Sequence, residues 1–483
     1  MSFTGEVLAA HRDLSLESRA FLDFAASRPK CLDRASFAEL HERPELLTYR
    51  PQPWPTFVGA AALSEMERVA LGLDRLIKSL PGRFFGGDPA RLADFYAIDN
   101  PLLAAVLFEP PNGVAGALSR GDFLDTAGGL QCLEWNCGSY LGGWRTQIIA
   151  DLCLRQPAIA EFVSRYGGRA RPRNTVRLLL ERLAEQAVED GAWTGGPLNI
   201  AIVAHPARPA LLAEHTAAQY GREYGALLAK RGGEPARGEV FLCAYADLRE
   251  EGGAIVYRGE PVHAVFEQQE GPTASHVFRA FKAGRVSLFS GPITGILSDK
   301  RNLALLCERA GELADTERAL VHAHVPWTWR LRRGPAERGG ERVDLLALIA
   351  AERDRLVLKH ARSLGGAKVH LGHCTPAPRW EELVRDALDE GSWVVQELVE
   401  SRPYAYQSGG GWEAHDVVWG LFVFGSRFGG GFVRLLPKSV GGVVNTARGA
   451  EVSLLVEVAH ADAGGGASVV SMCPTSPVAP ALV

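Results

Sequence analysis

The chain has 483 residues, which at roughly 150 residues per domain corresponds to about three domains with several buried cores, and this excludes one small module. Lys and Arg total 52 against 56 Asp and Glu, a net charge of -4 with no basic run, which argues against nucleic acid or a membrane surface as a partner. Hydrophobic residues make up 47% and charged residues 22%, which excludes wholesale disorder.

The cysteines and the start of the chain predict a compartment. Eight cysteines are scattered without a CxxC pair, which argues against a zinc site and against a disulfide-dense secreted scaffold. The amino terminus lacks a basic segment followed by an apolar one, and no apolar stretch approaches the roughly 20 residues needed to span a bilayer. We expect reduced cysteines and a soluble cytoplasmic protein.

Residues 1–99 are predicted to form a helical amino-terminal region. Apolar residues recur at helical spacing between Leu63 and Leu73, and the proline cluster Pro51–Pro55 is typical of a loop. Residues 100–190 follow as a unit in which short apolar runs bounded by Gly and Pro, Leu103–Leu107 and Leu130–Leu133, predict strands. Helical spacing returns between residues 147 and 189.

Residues 191–289 are predicted to form a small central α/β domain. Leu198–Val203 and Val240–Cys243 are strand-like runs separated by a long amphipathic stretch, which indicates neighbouring parallel strands with a helix between them. The segment Ala254–Val262 predicts a hairpin.

Residues 290–458 form the last large predicted unit, and residues 459–483, rich in Gly, Ala, Ser and Pro, are predicted to be a flexible tail. The predicted elements of the large unit are a helix over Trp380–Leu388 and strands over Val357–Lys359, Trp393–Gln396, Val417–Phe424 and Phe432–Leu436. No Gly-Lys dipeptide, HExxH or GxSxG occurs, so the commonest nucleotide and hydrolase signatures are absent.

The first informative motif joins two predicted strands. Residues two apart on a strand share a face, so Arg120 lies beside Asp122, and Glu134 beside Asn136. If the strands are neighbours, one face carries two carboxylates, a carboxamide and a guanidinium, and such oxygen ligands suit Mg²⁺ better than zinc. An exposed polar face beside a salt bridge gives the same pattern.

The second motif is Lys359 followed by Gly365 and Gly366. A strand lysine before a glycine-containing hairpin can place an ammonium and backbone N–H groups around a polyphosphate. An ordinary hairpin with a surface lysine is the alternative. Upstream, Ser298 is the candidate N-cap of an apolar helix, and Lys300 near that helix start opposes the helix dipole, a conflict that a bound anion would relieve. A lysine that faces solvent explains the feature equally well.

The third motif is the apolar strand Trp393–Val399, which contains the pair Gln396 and Glu397. Such a strand can present backbone groups to a purine edge, and a core strand that reaches the surface is the alternative. Arg434 and Asn445 lie on the final strand-like runs, the latter on Gly442–Asn445, where each is also explained as a polar residue on a sheet face.

Taken together and in this order, these segments resemble the circularly permuted ATP-grasp proteins, including the glutathionylspermidine synthase-like ligases, over roughly residues 120 to 450. The resemblance implies an α/β (α+β) ATP-grasp fold in permuted order, with the metal-binding strands before the nucleotide-binding segment. It also implies ATP and Mg²⁺ as cofactors.

The resemblance implies a role for each matched residue. Three residues would hold Mg²⁺: Asp122, Glu134 and Asn136. The phosphates would be bound by Lys300 and Lys359 and covered by the hairpin with Gly365 and Gly366, and the adenine pocket would be lined by Gln396, Glu397 and Val399. Arg120 would stabilise the carboxylate and acyl phosphate, with Arg434 as a second anion contact.

The implied activity is ATP-dependent ligation of a carboxylate to an amine through an acyl phosphate. The alternatives are an inactive ATP-binding regulatory or scaffold protein and another ATP-dependent phosphoryl transferase. The expected partners are small-molecule or peptide carboxylate and amine substrates, with no nucleic acid and no membrane. A homodimer is expected because twofold dimers are the commonest oligomers.

The chain departs from the family pattern at three places. His360 stands where relatives often have proline, and Ala367 replaces a further glycine in the hairpin, which bears on the mobility of a lid. After the strand Val262–Phe266 relatives tend to carry arginine, whereas this chain has Glu267. A different substrate or a divergent exposed edge would each explain that change.

Overall fold

The computed structural model describes residues 3–28, 50–99, 117–138, 141–144, 146, 150, 153–165, 169–205, 207–231, 233–268, 273–289, 294–363, 365–408 and 411–459. The predicted strand Leu103–Leu107 and residues 460–483 of the predicted tail lie outside the described residues. Within these ranges the chain forms helices and five sheets, which confirms the mixed α/β class.

The described helices, numbered in chain order, are α1 (Gly5–Leu14), α2 (Leu16–Ala26), α3 (Ala60–Phe85), α4 (Pro89–Tyr96), α5 (Pro157–Ser164), α6 (Thr175–Glu189), α7 (Ala210–Arg231), α8 (Ser275–Lys282), α9 (Thr294–Leu297), α10 (Arg301–Glu308), α11 (Asp315–His324), α12 (Leu345–Ala351) and α13 (Ala377–Glu390). Within the described ranges, every helix is too short or too polar to traverse a lipid bilayer. The six cysteines in these ranges are free thiols.

The described strands are β1 (Thr56–Gly59), β2 (Leu118–Thr126), β3 (Gly129–Cys137), β4 (Ala170–Arg171), β5 (Ile200–Ala204), β6 (Val240–Cys243), β7 (Leu248–Glu251), β8 (Ala254–Tyr257), β9 (Glu260–Val262), β10 (Ala264–Gln268), β11 (Ser287–Phe289), β12 (Thr328–Arg330), β13 (Pro335–Arg338), β14 (Glu341–Asp344), β15 (Leu356–His360), β16 (Val369–Leu371), β17 (Trp393–Glu397), β18 (Tyr404–Ser408), β19 (Gly411–Phe424), β20 (Arg427–Pro437) and β21 (Glu451–Val458).

The largest sheet has eight strands and carries one wall of the site. Its order is β1-β21-β20-β19-β2-β3, with β18 paired to β19 and β4 paired to β21. The amino-terminal strand β1 lies parallel to the carboxy-terminal strand β21, with Thr56 opposite Leu455, so the predicted helical region shares a sheet with the end of the described chain. Helix α3 buries its apolar stripe, including Val69, Leu73 and Ile77, in the same core.

The second sheet is parallel and has the order β11-β10-β5-β6. Ile200 pairs with Val240 in parallel, and α7 connects their two strands, which confirms the predicted strand-helix-strand unit. The predicted hairpin is present as β8 and β9, which turn at Arg258 and Gly259.

The third sheet is antiparallel, has the order β12-β17-β15-β16, and carries the other wall of the site. Its apolar face packs on α12 and α13 around Leu358, Trp380 and Val395. The predicted strands at 357–359 and 393–396 and the predicted helix at 380–388 all occur, each extended by one to three residues at its ends.

Four local predictions differ from the structure. Ser298 does not cap a helix: its hydroxyl donates to the Cys137 carbonyl at 2.6 Å, and the first helical amide, that of Arg301, is bonded by the Asp299 carboxylate at 3.0 Å. Gly442–Asn445 is irregular rather than a strand, and Asn445 caps a short 3-10 turn. The predicted helical stretch 147–189 is interrupted by β4. Strand β1, directly after the proline loop, and strand β21 lie where the sequence predicted no strand.

Candidate functional site

A cavity of about 400 Å³ lies between the eight-stranded sheet and the antiparallel four-stranded sheet. The eight-stranded sheet contributes residues of β2, β3, β19 and β20. The antiparallel sheet contributes residues of β15, β16 and β17, with the segment 398–401 that follows β17. The cavity has the size and the largely apolar lining that are typical of small-molecule sites.

The charged end of the cavity begins at the β2–β3 hairpin. Asp122 pairs directly with Glu134 across the hairpin, so both carboxylates lie on the same face. The register shifts at this point because Leu133 is inserted between Glu134 and Cys132 as a β-bulge. The bulge brings Leu133 and Glu134 to the cavity wall together, although they are adjacent in sequence.

Asp122 is held between two arginines. Arg120 donates to its two carboxylate oxygens from Nε at 2.8 Å and from a terminal nitrogen at 3.1 Å, and Arg434 approaches at 2.7 Å. The amide of Asn136 adds a bond at 3.2 Å. Burial acts to raise the pKa of Asp122, but the charges of Arg120 and Arg434 outweigh it and hold the pKa below its ordinary value. The carboxylate is therefore ionised and tightly bound in this arrangement.

Glu134 lies beside two buried lysines. Its carboxylate is 3.5 Å from the Lys300 ammonium, which also donates to the Ser363 carbonyl at 2.8 Å. Lys359 donates to the Leu133 carbonyl at 3.0 Å and to the side-chain oxygen of Gln396 at 2.5 Å. Burial lowers the pKa of Lys359 to about 8, although the Glu134 carboxylate acts to raise it.

The strand predicted to face a purine, β17, also contacts the buried Lys359 through Gln396. Gln396 is buried, and its side chain joins Lys359 to the Thr328 hydroxyl, to which it donates at 2.9 Å. Glu397 lines the cavity, and its carboxylate accepts from Arg338 at 3.1 Å. Val399 lines the apolar part of the same wall.

The glycine hairpin contributes Gly366 to the lining of the cavity. Gly365 and Gly366 have φ values of +64° and +71°, a backbone conformation that favours glycine. The carbonyl of Gly366 accepts from Arg448 at 2.9 Å, and Val443 lies against the same glycine. The hairpin is thus fastened to the loop that contains Asn445.

The structure brings all of the predicted site residues to one region, in two layers. The cavity wall contains Asp122, Glu134, Lys359, Gly366, Gln396, Glu397, Val399 and Arg434. Arg120, Asn136 and Lys300 lie just behind that wall: Arg120 and Asn136 contact Asp122, and Lys300 contacts Glu134. Gly365 precedes Gly366 in the hairpin. Asn445 also reaches the wall from its irregular loop.

Glu267, the departure at the end of β10, is not on an exposed edge. It is 7% exposed, and its carboxylate accepts bonds from the Tyr245 and Thr273 hydroxyls. Burial raises its pKa, although both hydroxyls act to lower it. Val265 packs in the core that contains Val277 and Phe281, so Glu267, two residues on, lies on the same face of the parallel sheet, whereas Phe266 packs on Trp144 at the other face.

Three charged residues of the cavity, Glu400, Asp416 and Lys438, were not identified from the sequence. Asp416 and Lys438 both line it and lie 3.6 Å apart. The predicted strand began at Val417, one residue too late to include Asp416, and Lys438 directly follows the end of β20. Strand alternation would have identified Asp416, because it shares a face with Val418.

The carboxylates fit a divalent cation only in part. Within the described residues no three His, Cys, Asp or Glu side chains come together in a group that could hold a metal ion. One oxygen of Asp122 already receives donors from Arg120, Arg434 and Asn136, whereas the other receives only Arg120. Glu134 and that second oxygen of Asp122 are therefore the carboxylate oxygens left for a cation, fewer than the roughly six oxygens that Mg²⁺ takes.

Comparison with known proteins gives a likeness in fold. No protein-family profile matches the sequence, and no curated protein matches it. Among solved structures, the chain is similar to the apo form of a glutathione synthetase-like effector from Globodera pallida. The TM-score is 0.52 at 10% sequence identity, over 88% of this chain and 97% of that chain. At this identity the likeness shows the fold alone.

Proposed function

We propose that the protein is an ATP-dependent carboxylate–amine ligase that forms an amide through an acyl phosphate, with an ATP-grasp fold in permuted order. The observation that carries the proposal is the position of Glu134 on β3 and Lys359 on β15, from two different sheets, at the charged end of one cavity. The domain boundaries predicted from the sequence, after residues 99, 190, 289 and 458, are part of the same proposal. The fold likeness to a glutathione synthetase-like effector supports it.

The charges at that end favour a polyphosphate. Four cations, Lys300, Lys359, Arg120 and Arg434, surround two carboxylates, so the group carries an excess of positive charge. In addition, Nε of Arg434 is buried without an acceptor among the described residues. A bound anion would use this excess charge, and low accessibility to water strengthens each contact.

The remainder of the cavity favours a flat, largely apolar group. Leu124, Val357, Leu398 and Val418 line it between the two sheets. Burying such surface against a purine ring is favourable by the hydrophobic effect, while main-chain groups of the segment 399–401 would provide polar contacts at its edge. A nucleotide matches both halves of the cavity.

Mg²⁺, when bound with ATP, would neutralise phosphate charge, and Glu134, the second oxygen of Asp122 and the side-chain oxygen of Asn136 would hold it. Lys359 and Lys300 would orient the phosphates through charge-assisted hydrogen bonds, and Arg434 would neutralise charge that develops on the transferred group. Gln396 would fix the direction of the Lys359 ammonium. The protein supplies position and charge rather than a nucleophile.

The chemistry follows from the poor reactivity of a carboxylate towards amines. A carboxylate oxygen of the substrate attacks the γ-phosphorus, and the bond to the β-phosphate oxygen breaks, which releases ADP. The amine then attacks the acyl carbon, phosphate leaves with the C–O electron pair, and the amine loses a proton. Arg120 would position the Asp122 carboxylate, and its own guanidinium is held by the Gly142 carbonyl, to which it donates at 2.9 Å.

The test is phosphate release from ATP and Mg²⁺ with pools of amino acids and peptides, followed by mass spectrometry of the products. The proposal expects release that requires both a carboxylate and an amine, and a loss of about 10²-fold or more in Glu134→Gln and Lys359→Met. The matched control Lys230→Met changes an exposed lysine at the end of α7 and is expected to keep parental activity.

Other outcomes would reject the ligase. ATP binding without amine-dependent turnover would identify a nucleotide-binding protein, and a phosphorylated product in place of an amide would identify a different phosphoryl transferase. Full turnover in Lys359→Met would remove the assignment of the phosphate site itself.

A further inference from the structure

The segment that leads from β15 into the glycine hairpin is bonded to the start of α10. The amide of Lys300 donates to the Ala361 carbonyl at 3.0 Å, and the Lys300 ammonium donates to the Ser363 carbonyl at 2.8 Å. Between these two bonds, Nε of Arg362 donates to the Asp299 carboxylate at 3.2 Å. Three successive residues at the base of the hairpin are therefore held by two successive residues of another segment.

Asp299 is the fixed end of this link. Its side chain is fully buried, and the Arg301 guanidinium donates to both of its oxygens, from Nε at 2.9 Å and from a terminal nitrogen at 2.7 Å. The Arg301 amide adds a bond at 3.0 Å. Burial acts to raise the pKa of Asp299, but the bonds and charge of Arg301, with the charge of Arg362, hold the pKa below its ordinary value. Arg362 is therefore paired with an ionised carboxylate whose position is set by the core.

The position of the Lys300 ammonium depends on the same segment. The ammonium lies 3.5 Å from the Glu134 carboxylate, so the Ser363 carbonyl at 2.8 Å is the closer of these two acceptors. A main-chain oxygen in a hairpin keeps its place only when the backbone beside it is held, and Arg362 directly precedes Ser363. The ion pair between Arg362 and Asp299 therefore bears on where the lysine points.

The Arg362 side chain can be removed without leaving a buried charge alone. It is 45% exposed, whereas the Arg301 side chain is buried beside Asp299 and neutralises it. A guanidinium that faces solvent to this extent adds little to the free energy of unfolding through its ion pair. The effect of the pair is therefore on the position of the hairpin backbone, and a variant at this residue separates that effect from the stability of the core.

We propose that Arg362 is a positioning residue of the phosphate site: its ion pair with Asp299 holds the Ser363 carbonyl, which in turn directs the Lys300 ammonium at the bound phosphates. This inference rests on the proposed nucleotide site. It adds that phosphate affinity depends on a guanidinium that does not itself line the cavity. Because Arg362 acts through the lysine, its contribution disappears when the ammonium is absent.

The experiment is titration calorimetry of the full chain with Mg²⁺ and ATP on a double-mutant cycle of Arg362→Ala and Lys300→Met. Arg362→Ala is expected to fold, since Arg301 still neutralises Asp299, and to bind ATP about fivefold or more weakly than the parent. In the Lys300→Met background the same change is expected to alter the affinity by less than about twofold. Arg362→Lys keeps a cation opposite Asp299 and is expected to bind ATP within about twofold of the parent.

The control is Arg177→Ala, which removes a 2.7 Å ion pair with Glu223 between α6 and α7, away from the cavity, and is expected to keep the parental affinity. Equal losses from Arg362→Ala in the parent and in Lys300→Met would show that Arg362 acts independently of the lysine and would overturn the inference. Arg362→Lys that binds ATP as weakly as Arg362→Ala would also overturn it, and this comparison decides the case if Lys300→Met binds too weakly to measure.

The failure of this inference is distinct from that of the proposed function. If the parent binds ATP and Arg362→Ala binds it equally well, the positioning role is wrong and the nucleotide site stands. If the parent does not bind ATP, the proposed function fails together with this inference.

Discussion

The ammonium of Lys359 donates to the main-chain oxygen of Leu133 at 3.0 Å, across 226 residues of sequence. That bond joins β15 of the antiparallel sheet to β3 of the eight-stranded sheet. The acceptor is available because Leu133 is the inserted residue of a β-bulge. One buried lysine therefore links the two walls of the cavity and lies beside Glu134.

We expect Lys359→Met to weaken ATP binding by about 10²-fold or more, because a thioether of similar length fills the space but donates nothing to a phosphate. Titration calorimetry with ATP and Mg²⁺ measures the loss. Lys230→Met is the control for removing one positive charge. ATP affinity within about threefold of the parent in Lys359→Met would contradict the assignment.

The pKa of Lys359 gives a pH-dependent prediction for binding. In the free protein burial lowers this pKa to about 8, and a bound triphosphate would raise it again by its negative charge. ATP binding at pH 8 should therefore take up about half a proton, and more at pH 9. Calorimetry in buffers of different ionisation enthalpy measures the uptake, which Lys359→Met should abolish. Equal uptake in parent and variant would show that another group titrates.

The same pKa has a defined sign for folding. Between about pH 8 and the ordinary value of 10.5, the unfolded chain holds a proton on Lys359 that the folded chain does not. This group alone therefore makes the folded state more stable as pH rises through that window. Comparing the free energy of unfolding of the parent with that of Lys359→Met at pH 8 and pH 10 isolates its contribution.

Local periodicity was sufficient to predict the face shared by Arg120, Asp122, Glu134 and Asn136. Strand alternation depends on the chain itself, and the short turn at Gly129 leaves few ways to pair the two strands. The contact of Asp122 with Arg434 could not be predicted in this way. Arg434 comes from β20, and only the packing of β19 between β2 and β20 brings it to the carboxylate.

The errors have local physical causes. Gly442–Asn445 is apolar enough for a strand, but two glycines at positive φ, Gly441 and Gly442, turn the chain at its start. Serine is a common N-cap residue, but the Ser298 hydroxyl is hydrogen-bonded to the backbone of Cys137 in β3 instead. Strand β1 has only four residues after a proline cluster, and its pairing with β21 depends on residues about 400 positions away.

Asp122 should matter for stability as much as for activity. Asp122→Ala leaves the Arg120 and Arg434 guanidinium groups buried without their carboxylate, for which we expect a loss of about 3–5 kcal/mol in the free energy of unfolding. Urea unfolding at pH 7 measures it. Asp389→Ala, at an exposed position, should stay within about 0.5 kcal/mol of the parent.

Acidification should reduce the difference in the free energy of unfolding between the parent and Asp122→Ala. The folded pKa of Asp122 lies below its ordinary value of 3.8, so its contribution is present above that value and is lost as pH falls through the folded pKa. A difference under about 1 kcal/mol at pH 7 would mean that the two arginines find other partners or solvent when the carboxylate is removed.

The glycine hairpin gives the last prediction. Gly366 has a φ of +71° and lines the cavity, so Gly366→Ala should cost about 1–2 kcal/mol of backbone strain and displace the hairpin from the cavity. Arg448→Ala removes the 2.9 Å bond to the Gly366 carbonyl without that strain. For both variants we expect faster dissociation of ATP, measured by stopped-flow displacement with a fluorescent analogue.

Gly339→Ala, at a φ of +62° in the β13–β14 hairpin, has the same backbone strain away from the cavity and should leave the dissociation rate unchanged. If Gly339→Ala and Gly366→Ala accelerate dissociation equally, the effect reflects general destabilisation. If Arg448→Ala changes nothing, the hairpin does not retain the nucleotide.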